Sequence, residues 1–469
     1  MPLTIDPVTA AMTTLDRLAR VESHGQELEA AISQLVDAML ELKRLQEAAV
    51  PVGWQELTRR VRDLEQQLAT ERTCGDLTRV SRMHPKTRSV VFVGTFYFGD
   101  NVKYAWLGLR ERCEAEGIAC WFLPYHEIQQ AQVESLGGRC LPVNHERWTA
   151  DELHAVLSAG AVITSDHLMH PDPYAVALLA GARHIQLWHG VSIKEIGLRN
   201  LPGGRALGPH LARVLATCGP YARLVGTARA GEFEWRRWFA FDGYDPIGYP
   251  RNDVLYREPT EADLVNVDRA LYERCGQVLG AGRRVFFYAP TFRSAKRGTW
   301  LLETGLSRVA DAVRQQGDLL VVNLHPVEQE LIGQLAPALP GVLFVAPRTD
   351  AYPLLTRSSV LITDYSSVMF DYLHLNRPIL LFRPDHLAYT ALSRRLYDDK
   401  LKELPGPMVE DADALIRLLR SPRLGQGGKH HRARQALRAT WFDHLDGAAC
   451  QRLHAVVLEE LSRCTPARP

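Results

Sequence analysis

The sequence predicts an α/β protein made of two Rossmann-like halves. Three observations carry that prediction. From Ser89 onward, apolar runs of strand length alternate with amphipathic runs of helix length, the pattern of parallel βαβ units with helices on both faces of a sheet. The alternation occurs twice, separated by a stretch rich in charge and Gly, Arg257 to Arg284. Most of the strand-like runs also stop abruptly at small, polar or catalytic residue types, as ligand-binding strand ends do in such sheets.

The first 71 residues have a different texture. Leu18, Val21, Gly25, Leu28, Ile32, Leu35, Met39 and Leu42 recur by three and four, an a/d seam interrupted at Gly25. Pro51 and Gly53 break it, and a second seam follows at Trp54, Leu57, Val61, Leu64 and Leu68. Two helices are expected, as a hairpin or a broken coiled coil. They serve either to oligomerise or space the chain or to fold back on its own body. Cys74 to Lys86, with Gly, Thr, Ser and Pro and no clear period, reads as a linker. The expected boundaries are 1–82 for the helical segment and linker, 83–278 and 279–449 for the two Rossmann-like domains, and 450–469 for a C-terminal helix and tail.

In the first half, Ser89–Val93, Ala119–Leu123, Ala161–Thr164 and His184–Trp188 read as strands, with helices at Val102–Glu116 and Tyr174–Leu179. His189 follows the last of these strands, and Gly190 allows a sharp turn there. A lone histidine is commonly structural. Its place at a strand end, with Ser192 and Lys194 nearby, gives the site a base-capable imidazole, a hydroxyl and an ammonium within six residues. Gly248-Tyr249-Pro250-Arg251-Asn252-Asp253 is a fixed turn that either joins the domains or presents Arg251, Asn252 and Asp253 to substrate. Trp235 to Phe239 reads as a helix with a buried aromatic face, or else as a basic-aromatic membrane contact.

In the second half, Val285–Tyr288, Leu319–Asn323, Val342–Val345, Val360–Ile362 and Pro378–Phe382 read as strands. Arg293, His325 and the run Asp364-Tyr365-Ser366-Ser367 each follow one of them. One carboxyl edge is therefore expected to carry all three. Arg and His donate to phosphate oxygens, and a helix start does so through backbone N–H groups. The Ser pair alone is more often a plain N-cap; its company favours a phosphate cradle.

Composition narrows the function classes. The chain is 46% hydrophobic and 23% charged with a net charge of +1, so no global basic field argues for nucleic acid. No run of about 18 apolar residues suggests a spanning helix, and no secretory signal is expected. The eight cysteines are scattered without a C-x-x-C pair, which suggests reduced thiols and no zinc site. P-loop, dinucleotide and nucleophile-elbow fingerprints are absent. No D-x-D or His-rich pattern occurs in the strand-end loops, so a metal-independent site without cofactors is expected.

The ordered set WHGVSIKEIG (188–197), GYPRNDVL (248–255), YAPTFR (288–293), NLHP (323–326), LITDYSSVMFDYLHLNRPILLF (361–382) and LPGP (404–407) closely resembles the CDP-glycerol glycerophosphotransferases, the primases and polymerases of wall teichoic acid with relatives in capsule synthesis. The match runs from about Val90 to Arg452, through Asp446-Gly447-Ala448-Ala449. The resemblance implies a GT-B fold, with an acceptor domain first and a nucleotide-donor domain second. It implies that an acceptor hydroxyl attacks the β-phosphorus of a CDP-activated polyol, that CMP leaves and that a phosphodiester forms. It casts His189 as the base, His325 as the pyrophosphate clamp, and Ser366 and Ser367 as the phosphate cradle. Arg293 and Asp364 are donor-side candidates, and Lys194, Arg251, Asn252 and Asp253 are substrate-side candidates. Tyr249 stands where the family more often has a small residue, and Val191-Ser192 where it commonly has Thr-Pro, leaving glycerol or ribitol open as the polyol.

The expected partners are a CDP-polyol donor, a lipid-linked or oligosaccharide acceptor and, through the N-terminal helices, a second copy of the chain. The expected location is cytoplasmic, peripheral at the inner face of the membrane. Two other readings stand beside this one: a GT-B glycosyltransferase using a nucleotide-sugar, and a non-catalytic scaffold organised by the N-terminal helices.

Overall fold

The computed structural model describes residues 52–168, 170–192, 196–199, 217–293, 300–386, 389, 404–421, 424 and 428–464, together with Val36. The first expected seam, the C-terminal tail after Cys464 and the candidate Lys194 lie outside them.

Two parallel six-stranded sheets form the frame. The first contains β1 (Ser89–Val93), β2 (Ala119–Leu123), β3 (Ala161–Thr164), β4 (Arg183–Gln186), β5 (Tyr221–Val225) and β6 (Phe241–Asp245), in the order β2-β1-β3-β4-β5-β6. The second contains β7 (Val285–Ala289), β8 (Leu319–Val322), β9 (Val342–Phe344), β10 (Val360–Thr363), β11 (Ile379–Phe382) and β12 (Met408–Val409), in the order β12-β11-β10-β7-β8-β9. Every pairing is parallel, in register from Val90↔Cys120 in the first sheet and Ile362↔Tyr288 in the second. The expected two-half α/β architecture is thus present.

Strands covered on both faces read as continuous apolar runs, and successive residues supply opposite faces. In β7, Val285 and Phe287 enter one buried cluster while Phe286 and Tyr288 enter another. In β1, Val90 and Phe92 face the first of these, and Val91 and Val93 a third. The first cluster runs without a break from β1 through Val254 and Leu255 into β7 and β10, so the two halves share a core. Buried ion pairs cross the same seam. Lys103, fully buried, donates to Asp350 at 2.8 Å and to the Asp263 and Val265 carbonyls. The last helix, Ala449–Ser462, returns to the first half, where Glu460 accepts from Arg183 and Arg223 at 2.6 Å each.

The expected linker is a correction. Helix Val52–Met83 runs without interruption through Cys74 and Gly75. Packing overrides the weak propensity there: the helix lies along helix Pro173–Leu179, and the Ser81 hydroxyl donates to the Leu178 carbonyl at 2.5 Å while accepting from Gly181 N–H. This second helix is folded back on the first domain. The aromatic-basic run is also settled locally. Trp235, Trp238 and Phe239 are buried, and Arg236 pairs with Glu232 across one turn of the same helix at 2.8 Å. Among the described residues no helix is long and apolar enough to cross a membrane.

Candidate functional site

His189 stands three residues beyond the carboxyl end of β4, in a backbone with little freedom. Trp188 adopts φ 56° and Gly190 φ 135°. Trp188 is pinned by its own N–H, which donates to Gln186 Oε1 at 2.9 Å, and by its carbonyl, which accepts from Asn101 Nδ2 at 2.7 Å. Its indole supports the imidazole face to face, with centroids 4.3 Å apart and planes 24° apart. Beneath it lie Trp235 and Phe239, so the histidine rests on a rigid aromatic bed.

The ring is also oriented in its own plane. Nδ1 lies 3.3 Å from the Ser165 carbonyl and 3.7 Å from Asp166 Oδ1. Two acceptors on one nitrogen hold the ring proton on Nδ1 and leave the lone pair on Nε2. Ser165 and Asp166 follow β3, the strand beside β4. The strand-end rule that singled out His189 would have found them, and sequence reasoning passed over both.

Gly190 is one of the points of contact between the halves. A Cβ there would stand 3.2 Å from Ser367 Oγ and 3.0 Å from Arg251 Nη2. The positive φ favours glycine, and a Cβ would also crowd these two side-chain ends. The turn after His189 is therefore seated against the Ser366–Ser367 turn of the second half.

In the second sheet, β10, β7 and β8 are adjacent and parallel, so the turns bearing Ser366 and Ser367, Arg293, and His325 open on one edge, as expected. Their side chains divide into two groups. Ser366 and Ser367 are half-buried at the start of the short helix Val368–Leu373. Ser367 makes no side-chain capping bond, and Ser366 Oγ lies 3.5 Å from Val368 N–H. Their hydroxyls are thus barely used by the helix. His325 is exposed, with Nδ1 turned toward Val327 N–H at 3.4 Å and its ring against Phe292.

Arg293 and Asp364 are instead employed by the fold. Arg293 donates to Asp385 from Nε at 2.6 Å, to Asp364 from Nη2 at 2.8 Å and to the Thr291 carbonyl from Nη1 at 2.6 Å. Its guanidinium lies between Trp300 and Tyr389, 4.6 and 4.4 Å from their centroids. Asp364 is fully buried and accepts from the Thr291 N–H and hydroxyl and from Tyr365 N–H. A carboxylate so placed repels phosphate and fixes the loop. Arg383, not weighed from sequence, lies over Tyr365 at 4.6 Å and donates from Nε to the Asp364 carbonyl.

Arg251, Asn252 and Asp253 lie at the seam. Arg251 is buried between Asp100 of the first half at 2.6 Å and Asp371 of the second at 2.9 Å, and over Tyr352. The two carboxylates hold its pKa well above the ordinary value despite burial. Asn252 contacts His374, and Asp253 accepts from the Ala449 and Cys450 N–H groups at the start of the last helix. Tyr249 is buried beside Arg251. Partners such as Asp371, Asp385 and Glu460 lie far along the chain, which hides such pairs from a sequence reading. Among the described residues no three His, Cys, Asp or Glu side chains are grouped as metal ligands.

A family model described as CDP-Glycerol:Poly(glycerophosphate) glycerophosphotransferase matches residues 131–459. The chain is 28% identical over 253 residues to a teichoic acid glycerol-phosphate transferase of Staphylococcus aureus, covering 50% of this chain and 61% of that protein. It is 27% identical over 248 residues to a teichoic acid poly(glycerol phosphate) polymerase of Bacillus subtilis, covering 50% of this chain and 32% of that one. These matches span between 32% and 61% of the relatives' own lengths. The solved structure of the wall teichoic acid polymerase TagF superposes with a TM-score of 0.65 at 19% identity, over 88% of this chain and 99% of that chain. At that identity the likeness establishes the fold, and it is the two-sheet GT-B arrangement expected from the sequence.

Proposed function

The chain belongs to the CDP-glycerol:poly(glycerophosphate) glycerophosphotransferase family, and from that premise we propose that it transfers glycerol phosphate from CDP-glycerol to an acceptor hydroxyl of a teichoic-acid or capsule-type polymer. The observation that carries this reading is the seating of Gly190 against Ser367. It brings an oriented imidazole on one sheet edge to a pair of little-used hydroxyls on the other.

In the proposed reaction the acceptor oxygen attacks the β-phosphorus and its proton passes to His189 Nε2. The bond from that phosphorus to the bridging oxygen breaks, and CMP leaves with the electron pair. Charge gathers on the non-bridging oxygens, where Ser366, Ser367, the adjoining backbone N–H groups and His325 supply donors. CMP is a good leaving group, so His325 acts as an electrostatic clamp and protonation of the leaving oxygen is not required. Arg293, Asp364 and Arg251 hold the frame. No metal takes part in this scheme, and chelation with EDTA is expected to leave turnover unchanged. We place the protein peripherally at the inner face of the membrane, a location that a salt wash releasing it from membranes would support.

The test offers CDP-glycerol, CDP-ribitol and nucleotide-sugars with short hydroxyl-bearing acceptors, and follows CMP release together with product mass. A new phosphodiester from CDP-glycerol is expected. A glycosidic product from a nucleotide-sugar, with no CMP released from CDP-glycerol, overturns the reading.

A further inference from the structure

The seating of the His189 turn against the Ser367 turn has its own fastening, and it runs through one buried guanidinium. Arg251 is 4% exposed and lies in the turn Pro250–Tyr256, between the two halves. Toward the first half, its Nη1 donates to Asp100 Oδ1 at 2.6 Å and its backbone N–H to Asn101 Oδ1 at 3.1 Å. Asn101, fully buried, passes the tie on. Its Nδ2 donates to the carbonyl of Trp188, the residue before His189, at 2.7 Å. Toward the second half, Arg251 Nη2 donates to Asp371 Oδ2 at 2.9 Å and to Oδ1 at 3.2 Å. Asp371 belongs to the short helix Val368–Leu373 and stands about one turn beyond Ser367. The same Nη2 would be 3.0 Å from a Cβ on Gly190, so it also abuts the turn that bears the base.

This arrangement serves geometry and not charge alone. A guanidinium is a planar fork with donors at fixed angles, so contacts on two of its nitrogens fix direction as well as distance. Here they do so for two elements at once, one leading to the base and one carrying the cradle. The first anchor is itself held in an uncommon backbone. Asp100 adopts φ 57°, a left-handed conformation that residues other than glycine seldom hold and that persists where the surroundings determine it. Its Oδ1 also accepts from Asn101 N–H at 2.7 Å, which joins the two anchors of the first half. Arg251, Asn101 and Asp371 are all buried, so they act through the turns and not on the reactants.

We propose that Arg251, with Asn101 and Asp371, is the positioning residue that sets the gap between His189 and the Ser366–Ser367 cradle across the seam. The inference rests on the transfer reaction proposed above. It adds what fixes the placement of the base relative to the phosphorus. When the tie is cut, each half keeps its own binding groups and only their relative placement is lost. A misplacement of about 1 Å between reacting groups costs about 10²-fold in rate. The cost therefore falls on kcat and not on KM.

The test uses the full chain with Arg251→Lys and Asp371→Asn. Lysine keeps the buried charge without the fork, and asparagine keeps the shape of the aspartate without its charge. At a temperature where melting curves show both variants folded, kcat is expected to fall about 10²-fold in each. The KM for CDP-glycerol stays as in the wild type. So does the pKa of the base read from the pH profile of kcat/KM, because Ser165 and Asp166 are untouched. Hydrogen exchange supplies a readout independent of turnover. Asp371→Asn, a change in the second half, is expected to speed exchange by about 10-fold in the first-half peptide 186–192. Where a charge change prevents folding, Asn101→Ser, which changes none, carries the same readouts from the other side, with 364–370 as the peptide across the seam. Wild-type kcat in the folded variants, rescue of kcat by lysine, or an exchange effect confined to the mutated half overturns the tie. A wild-type protein that forms no phosphodiester from CDP-glycerol while its variants show the exchange effect across the seam overturns the reaction and supports the tie.

Discussion

The carboxyl edges of the two sheets carry similar materials, turns rich in His, Asp, Ser and Arg, and use them in opposite ways. On the second edge, Arg293, Asp364 and Asp385 are bonded to one another and closed in by Trp300, Tyr365 and Tyr389. On the first edge, Asp166 and His189 remain about two-fifths exposed at 3.7 Å, beside a hydroxyl and a ring nitrogen without partners. Charges that face each other build a frame, while those turned to an open cleft are left for a ligand. A motif dense in charged residues marks a strand end; the partners of those residues decide whether it is frame or chemistry.

The comparison breaks or holds first on His189→Ala. Loss of the base is expected to lower kcat by about 10³-fold, with CDP-glycerol affinity retained. CMP release and titration calorimetry measure the two. Unchanged turnover would remove the first edge from the chemistry.

Asp364→Ala tests the opposite side. It leaves Arg293 buried with one carboxylate in place of two, and breaking a buried pair costs about 3 kcal/mol or more. Urea unfolding is expected to show that loss. A variant of full stability with lost donor binding would show that Asp364 belongs to the site and not to the frame.

These assignments divide along what a sequence can carry. The positions were legible. Strands Ser89–Val93, Ala119–Leu123 and Ala161–Thr164 fall where the apolar runs put them, and the three donor-side turns share an edge because parallel strands require it. Pairings between distant segments were not legible. Strand Tyr221–Val225 was missed because Arg223 interrupts its apolar pattern; Glu459 and Glu460, from the last helix, satisfy that charge. Phe241–Asp245, with Gly and two Asp, carries no strand pattern and becomes an edge strand by pairing with its neighbour. Residues 74–83 looked like a linker because their helix is held by contacts made about 100 residues later.

A smaller effect is expected where the first edge supports its own base. In Asp166→Asn the carboxylate near His189 Nδ1 is lost while the Ser165 carbonyl remains. The pair is half-exposed, so solvent screens much of its attraction. A fall in kcat of about 10-fold is expected, with both KM values little changed and partial recovery in Asp166→Glu. An equal fall in thermal stability would mark Asp166 as frame.

The last contrast separates frame from chemistry by pH. His374, buried at the seam, bonds to Asn252 and Tyr256 and packs on Phe442. Burial, with Arg438 and Arg251 nearby and Asp446 opposing them weakly, pushes its pKa from 6.5 down to about 3. Between those values the unfolded chain binds the proton and the folded protein does not. Stability is therefore full above about pH 6.5 and falls as the pH drops toward 3, by about 1.4 kcal/mol per unit from this group at most. Buried His184, held at about 4 by desolvation, adds to the same acid limb. In His374→Gln the His184 contribution remains and that of His374 disappears. Urea midpoints measured from pH 4 to pH 7 should fall less steeply in the variant than in the wild type. The pH dependence of kcat should be the same in both, because His374 serves the frame on which His189 works.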